Sequence, residues 1–363
     1  MERSKIVGAG SAYTSAVAVN VTDQERRRRK RGALTVAAIA ELAGVSAPTV
    51  SKVLNGRSGV APETRRRVEE LLRERGYRRP DSVGPAAILE VTFHALEGHL
   101  AVEIMRGIER VAREHELAVG FSEIQGRTTA GRSWVDQILA RRPTGVIAVY
   151  ADVTAGQQEQ LAAAGIPMVT LDPTGEPLHP VPSVGATNWS GGVAAARHLL
   201  DLGHRRIAAM CGPADYLCAQ ARLDGFRAAM TAAGLRMDPG LVVQGRFYFE
   251  DGLRLGRDLL RRRKPPTAIV CGNDLQAVGV YEAARELGVR IPTDLSVVGF
   301  DDIEFARWCG PSLTTVRQPL IEMGATAASL VLMLAAGEVP GQTRVEVATT
   351  LVVRESTAAP SVG

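Results

Sequence analysis

The stretch TVAAIAELAGVSAPTVSKVLN, Thr35–Asn55, decides the fold of the N-terminal part of the chain. Thr35 can cap a helix whose apolar face is Val36, Ile39, Ala40 and Ala43. Gly44 follows where the backbone must turn through a left-handed conformation. Val45 can fill the space beneath that turn, and Ser46 can cap the next helix. In that second helix Val50, Val53 and Leu54 recur at i, i+3 and i+4 and face inward. Pro48 falls in its first turn, where the missing N–H costs nothing. Ala47, Pro48, Ser51 and Lys52 are left on the opposite face. Two short helices joined by Gly-Val-Ser form a helix-turn-helix, whose second helix enters the major groove of DNA N-terminus first.

Working outward, a third helix begins at Pro62 and buries Val68, Leu71 and Leu72, with Gly76 to stop it and Tyr77 to pack back. Upstream, Arg26–Arg31 is an unbroken run of six cations, expected to be a solvated arm that can track phosphates. Residues 1–31 as a whole read as a basic disordered tail, without the clean apolar stretch of a secretory signal. Charge follows this division. Residues 1–79 carry 17 Lys and Arg against 8 Asp and Glu, whereas 80–363 carry 26 against 31. An anionic partner, nucleic acid above all, is therefore expected for the first part only.

The rest of the composition narrows the classes. The chain has 363 residues, 45% of them hydrophobic, and no apolar run long enough for a membrane-spanning helix. Cys211, Cys218, Cys271 and Cys309 are too scattered for a zinc or dithiol motif, and read as small buried hydrophobes. Aromatics at 4% argue against a surface of many base-stacking platforms.

From residue 86 onward, β-rich apolar runs alternate with helical patterns. The runs are Ile88–Phe93, Val146–Val149, Met168–Leu171, Ile207–Met210, Ala268–Val270 and Ser296–Phe300. The helical segments are Ile104–Glu114, Gly192–Leu202, Arg222–Ala233 and Gln276–Leu287. Such alternation predicts parallel sheets covered by helices on both faces. The length suits two similar lobes, with a ligand cleft at the carboxyl ends of the strands.

The phrases AGVSAPTVSKVLN and TRRRVEELLRERGY closely resemble the DNA-binding head of the lac repressor family of bacterial transcription regulators. Further phrases match its two-lobed effector domain: GGVAAARHLLDLGHRRIAAMCGP, ARLDGFRAAM, CGNDLQAVGVYEAARELGVRIPTDLSVVGFDD and PSLTTVRQP. The resemblance spans nearly residues 34–356. It implies an all-α helix-turn-helix head followed by a periplasmic-binding-protein-like α/β domain built on two doubly wound parallel sheets. The implied boundaries are a tail at 1–31, a head at 32–79, a short Pro/Gly linker at 80–86 and a two-lobed domain at 87–363. Ala87 to about Ser183 and about Leu320 to Arg344 are expected in the head-side lobe. The other lobe takes about 188–316 and the last strands.

By the same resemblance, Ala47, Pro48 and Lys52 occupy the base-choosing positions. Ala47 and Pro48 have no side-chain donor, and Lys52 can meet a guanine edge or a phosphate. Thr35, Ser46, Thr49 and Ser51 complete the DNA-facing set, with Asn55 fixing the turn after the helix. For the effector, Arg222, Asn273, Asp301 and Asp172 match the family's cleft residues, and Phe247 sits where a ring packs on a sugar face. Carboxylates that accept O–H bonds, beside Arg and Asn that donate, are what vicinal hydroxyls need. A core ring for Phe247, an interlobe salt bridge for Arg222 and Asp301, and a turn cap for Asn273 are the competing structural roles.

Three departures from the family stand out. Ala61 replaces the Ser or Thr that caps the third helix. Arg78–Pro85 contains two prolines and a glycine, which exclude a regular hinge helix, and it has no Leu to wedge into the minor groove. His94, Glu97 and His99 replace the usual phrase after the first strand, and read as pocket rim or solvent rather than as a metal site.

No GxSxG elbow, Walker loop or HExxH motif occurs. Asp301 and Asp302 are adjacent at a strand end and point to opposite sides, which suits no paired acid–base work. The expected protein is therefore not an enzyme and needs no cofactor. It is a cytoplasmic regulator, a repressor by type, that binds a double-stranded DNA operator as a homodimer through its lobes. A mono- or oligosaccharide in the cleft changes the angle between the lobes and so the spacing of two heads. A purine or other effector is the alternative within that class. An exported solute-binding protein and an enzyme on the same lobes are the alternatives outside it.

Overall fold

The computed structural model describes residues 35–54, 59–75, 85–94, 100–124, 134–151, 153–173 and 181–361. The chain separates into two compact units between Gly84 and Pro85.

The first unit is three helices, α1 (Val36–Ala43), α2 (Ala47–Leu54) and α3 (Pro62–Glu74). Thr35 caps α1, its hydroxyl accepting the Ala38 N–H at 3.2 Å. Gly44 takes the left-handed turn with φ 63°, and the Val45 N–H donates back to the Ala40 carbonyl at 2.9 Å. Ser46 then caps α2, accepting the Thr49 N–H at 3.3 Å. Ile39, Ala40, Ala43, Val50, Val53 and Val68 form the core, with Leu71 and Leu72 packed at its edge. The Leu54 side chain, Asn55, Gly76, Tyr77, the linker residues 80–84 and the tail 1–31 lie outside the described residues.

The second unit opens with β1 (Ala86–Phe93), α4 (Leu100–Glu114), β2 (Ala118–Glu123), α5 (Trp134–Arg141), β3 (Pro143–Val149), α6 (Ala155–Ala163), β4 (Met168–Leu171) and β5 (Ser183–Ala186). It crosses to a second lobe for α7 (Asn188–Asp201), β6 (Ile207–Cys211), α8 (Leu217–Ala232), β7 (Val242–Gln244), α9 (Phe249–Leu260), β8 (Ala268–Cys271), α10 (Asp274–Leu287), β9 (Ser296–Asp301), α11 (Phe305–Trp308) and β10 (Thr314–Arg317). It returns to the first lobe for α12 (Leu320–Ala335) and β11 (Arg344–Val347), then ends in the second with β12 (Thr350–Val352).

The two six-stranded sheets repeat one design. Their orders are β11-β5-β4-β3-β1-β2 and β12-β10-β9-β8-β6-β7, parallel throughout except for β12, which runs antiparallel to β10. Each is a doubly wound sheet whose order reverses between its first and third strands, β1/β3 and β6/β8, where such folds bind ligands. The last two strands do not stay together, contrary to the sequence expectation. β11 pairs with β5 in the first sheet, and only β12 closes the second. The sequence reading names no residues for β2, β5, β7 and β10–β12, which are short or lie at sheet edges and carry no long apolar run. Of the four cysteines Cys271 is buried, while Cys211, Cys218 and Cys309 are half-buried, because three sit where strands and helices end at the cleft or surface.

Helices in this unit cross at reciprocal glycines. A methyl on Gly225 would lie 2.0 Å from the Trp189 carbonyl, and one on Gly192 would lie 2.1 Å from that of Arg222, so α7 and α8 touch backbone to backbone. Gly107 and Gly324 do the same for α4 and α12, and Gly252 and Gly279 for α9 and α10. Among the described residues no single helix is long and apolar enough to cross a membrane.

Two outcomes are expected. The Ala61 carbonyl accepts the Arg65 N–H, which places Ala61 at the N-cap of α3 without a side-chain acceptor. Ala61→Ser should stabilise the head by about 1 kcal/mol, read as slower amide hydrogen exchange along α3 in the full chain. Gly225→Ala should cost about 2 kcal/mol by overpacking and lower the melting temperature, read by calorimetry; an unchanged transition would refute the close crossing.

Candidate effector site and DNA-reading face

In the head, α2 turns one face outward. Ala47, Pro48, Ser51 and Lys52 are exposed, whereas Val50 and Val53 are buried. The hydroxyls of Ser46 and Thr49 share a hydrogen bond at 2.8 Å, which fixes the N-terminus of the helix. Thr35 and Ser46 thus serve first as caps, and both are exposed.

In the second unit the site is built around Arg222, one turn into α8 and only 8% exposed. Its Nε donates to Asn188 Oδ1 at 2.8 Å and one terminal nitrogen donates to the Gly272 carbonyl at 2.6 Å. The guanidinium lies 3.7 Å from the centre of the Phe300 ring and 5.6 Å from that of Phe247. Such cation–π stacking replaces part of the hydration lost on burial. The Asn188 amide donates to the Ala186 carbonyl, so the residue that orients Arg222 is itself tied to the first crossover between lobes.

Asp301, at the end of β9, stands 3.7 Å from Arg222. That distance gives charge contact without a hydrogen bond. Asp301 Oδ1 accepts from Gln318 Nε2 at 2.6 Å. Burial pushes the Asp301 carboxyl up to about 6, against the opposing pull of Arg222. Asp302 turns the other way and pairs with Arg317 and Arg354, as its adjacent position predicts. Asp172 follows β4 in the other lobe and is also buried. Burial raises its carboxyl, and the charge of Arg222 lowers it. The structure therefore brings Asp172, Arg222 and Asp301 into one electrostatic cluster across the two lobes.

Phe247 and Asn273 join it from above. The Phe247 ring lies over glycines, since side chains on Gly212 and Gly272 would come within 2.1 and 3.0 Å of it. Those glycines follow β6 and β8, the switch point of the second sheet. Tyr216 tilts against the ring at 6.3 Å. Asn273 has the capping role: its Oδ1 accepts the Gln276 N–H at 2.9 Å and its amide donates to the Phe247 carbonyl at 3.0 Å. It places the ring, with one amide N–H still able to face a ligand.

A cavity of about 610 Å³ opens against Asp301 and Gln318, bounded on the other side by Leu100, Glu103 and Arg106 of α4. Small-molecule sites commonly fall between about 300 and 1,000 Å³. His94 is the first residue beyond β1; Glu97 and His99 lie outside the described residues. Among the described residues no group of three His, Cys, Asp or Glu is placed to hold a metal.

Sequence reasoning missed Asn188, Gln276, Gln318 and Tyr150. Gln276 donates to the Cys211 and Arg246 carbonyls and accepts from Gly272, stitching together the strand ends beneath the site. None of these carries a pattern of its own; the only available signal was position immediately after an apolar strand, which Tyr150 has.

A helix-turn-helix head joined to a cleft of this kind defines a ligand-responsive DNA-binding regulator. Residues 35–80 match the model for bacterial regulatory proteins of the lacI family, and residues 196–357 match that for periplasmic binding protein-like domains. The chain is 30% identical over 345 residues to the HTH-type transcriptional repressor CytR of Escherichia coli strain K12, covering 92% of this chain and 99% of that protein. It is 33% identical to the HTH-type transcriptional regulator CelR of Thermobifida fusca, covering 92% and 99%. A solved complex of the transcriptional regulator CelR with cellobiose superposes with a TM-score of 0.69 at 30% identity, over 89% of this chain and 99% of that one. The lac repressor dimer bound to operator superposes with 0.66 at 28% identity, over 90% and 100%. The chain belongs to the lacI family of bacterial transcription regulators: it is a DNA-binding regulator with an effector-binding domain.

The raised Asp301 predicts a pH effect. The unfolded chain releases this proton near pH 4, but the folded chain holds it to about 6. The folded state therefore binds more protons over that window, and the contribution of Asp301 to stability falls as pH rises from about 4 to 6, then levels. Asp301→Asn should flatten the fall in melting temperature over that window relative to the parent, measured by pH-resolved thermal unfolding. Equal slopes would contradict the burial cost assigned to Asp301.

Proposed function

We propose that the protein is a cytoplasmic, homodimeric transcriptional repressor whose operator binding is controlled by a sugar held between the lobes. The observation that carries this reading is the cluster of Asp172 from one lobe with Arg222 and Asp301 from the other, at the carboxyl ends of both sheets. Carboxylates can accept two hydroxyl protons each and the guanidinium donates, which fits adjacent hydroxyls of one sugar. Phe247, supported by Asn273, offers a ring to the apolar face of the same sugar. A ligand that contacts both lobes favours one interlobe angle over others by its difference in affinity for them. In a dimer that angle sets the separation of two heads, which must match half-sites about one helical turn apart. On the DNA side, Lys52 supplies a base or phosphate contact beside Ala47 and Pro48. Thr35, Ser46, Thr49 and Ser51 line the backbone, and Asn55 is assigned the turn after the helix. Relatives that are regulators in a sugar complex or a dimer on operator support the reading. We assign no catalytic turnover, and a bound sugar should be recovered unchanged.

The test uses the full chain with D-glucose, D-xylose, cellobiose, adenosine and hypoxanthine. A ligand at 100 times its Kd stabilises by about 2.7 kcal/mol, which a thermal-shift measurement resolves. A sugar should raise the melting temperature and change the affinity for duplexes selected by the protein from a random pool. Arg222→Ala should abolish both effects while leaving selection of the duplexes intact. A shift with adenosine or hypoxanthine alone would replace the sugar by a purine, and loss of neither effect in Arg222→Ala would displace the site.

A further inference from the structure

Tyr150 is the first residue after β3, beside the switch point of the first sheet. Its backbone is fixed, because its N–H donates to the Leu171 carbonyl at 3.0 Å. Yet it is held at φ 50°, in the left-handed region that a bulky side chain rarely enters. Asp172, after the neighbouring strand β4, is held the same way at φ 47°, with its N–H donating to the Val184 carbonyl. Residues kept in such conformations persist only where their surroundings demand it, and they gather at ligand sites. Two adjacent strands thus end in the same left-handed turn, each on a polar residue.

The Tyr150 hydroxyl is buried and has no hydrogen-bond partner among the described residues. A buried polar group in that state calls for a functional explanation. The charges of Asp172, Asp301 and Arg222 all act on it, which places it inside the cluster already described. Burial, reinforced by the two carboxylates, keeps the phenol protonated, so it is a donor. Gln318, which donates to Asp301 and lines the cavity, also has a buried oxygen, Oε1, without a partner among the described residues. The cluster therefore leaves a hydrogen-bond donor and an acceptor unused.

Its balance of charge also limits what can complete it. Among the described residues, one guanidinium faces two carboxylates at the inner site, and carboxylates outnumber guanidiniums around the cavity. A phosphate or carboxylate on the ligand would meet net repulsion there, whereas neutral hydroxyls satisfy donors and acceptors alike.

We propose that Tyr150 is a specificity-determining residue of the effector site, donating its hydroxyl hydrogen to an oxygen of a neutral sugar that Asp172, Arg222 and Asp301 also hold. This rests on the sugar-effector reading above and adds to it the residue and the charge class.

The experiment compares the full chain with Tyr150→Phe, using D-glucose, D-xylose and cellobiose as neutral probes and D-glucose 6-phosphate and D-gluconate as anionic ones. Without ligand, Tyr150→Phe should melt at the same temperature or about 2 °C higher, because it removes an unsatisfied buried hydroxyl. A structural role for the hydroxyl would lower that temperature and overturn the proposal. With the neutral sugar that shifts the parent, Tyr150→Phe should bind about tenfold more weakly or worse, by calorimetric titration. Unchanged affinity for that sugar overturns the proposal and leaves the sugar reading standing, since Arg222→Ala still removes binding. Preference for either anionic probe overturns the charge class, and silence of every neutral sugar overturns the proposal together with the reading beneath it.

Discussion

The second unit is organised around one buried cation. Arg222 is nearly inaccessible to water, so its charge must be answered within the protein. Asn188 and the Gly272 carbonyl accept its protons, Phe300 lies flat against it, and Asp301 faces it. The four partners come from three elements: Asn188 from the start of α7, Gly272 from the loop after β8, and Phe300 and Asp301 from the end of β9. None can shift without leaving the guanidinium short of a partner. The cation therefore fixes the relative positions of the strand ends that form one wall of the cleft, before any ligand arrives.

The glycine crossings make that arrangement possible. Arg222 reaches the cleft because its own carbonyl occupies the space that a side chain on Gly192 would need, so α8 sits deep against α7. With any larger residue at Gly192 or Gly225 the two helices would separate, and the guanidinium would withdraw from Asn188. The same device recurs in α4 with α12 and in α9 with α10. Packing of the outer layer and geometry of the inner site are in this sense one problem.

The sequence disclosed those parts whose physics is local. Thr35, Gly44 and Ser46 act through neighbours three or four residues away, and the structure shows each in its expected place. The buried parallel strands were legible as apolar runs for the same reason. The short edge strands were not, since their pairing is decided by distant partners, as in Arg344–Val347 against Ser183–Ala186. In the site, the resemblance supplied Asp172, Arg222, Asp301, Phe247 and Asn273. What remained hidden was the supporting set. Asn188, Gln276 and Gln318 owe their roles to residues 17 to 65 positions away in the chain, and no short pattern encodes such a distance.

The chain passes between the lobes three times, at residues 186–188, 317–320 and 347–350. The first and third passages are bonded side by side, with the Thr187 N–H donating to the Val347 carbonyl and the hydroxyls of Thr187 and Thr349 in contact. Three passages of backbone, two of them bonded side by side, favour bending at a hinge over shear and rotation. Relative motion of the lobes is then reduced to little more than one coordinate. A ligand that acts through such a joint acts through the opening angle, whatever its own chemical detail. The residues that identify the ligand are thereby free to change without altering the language in which its presence is announced.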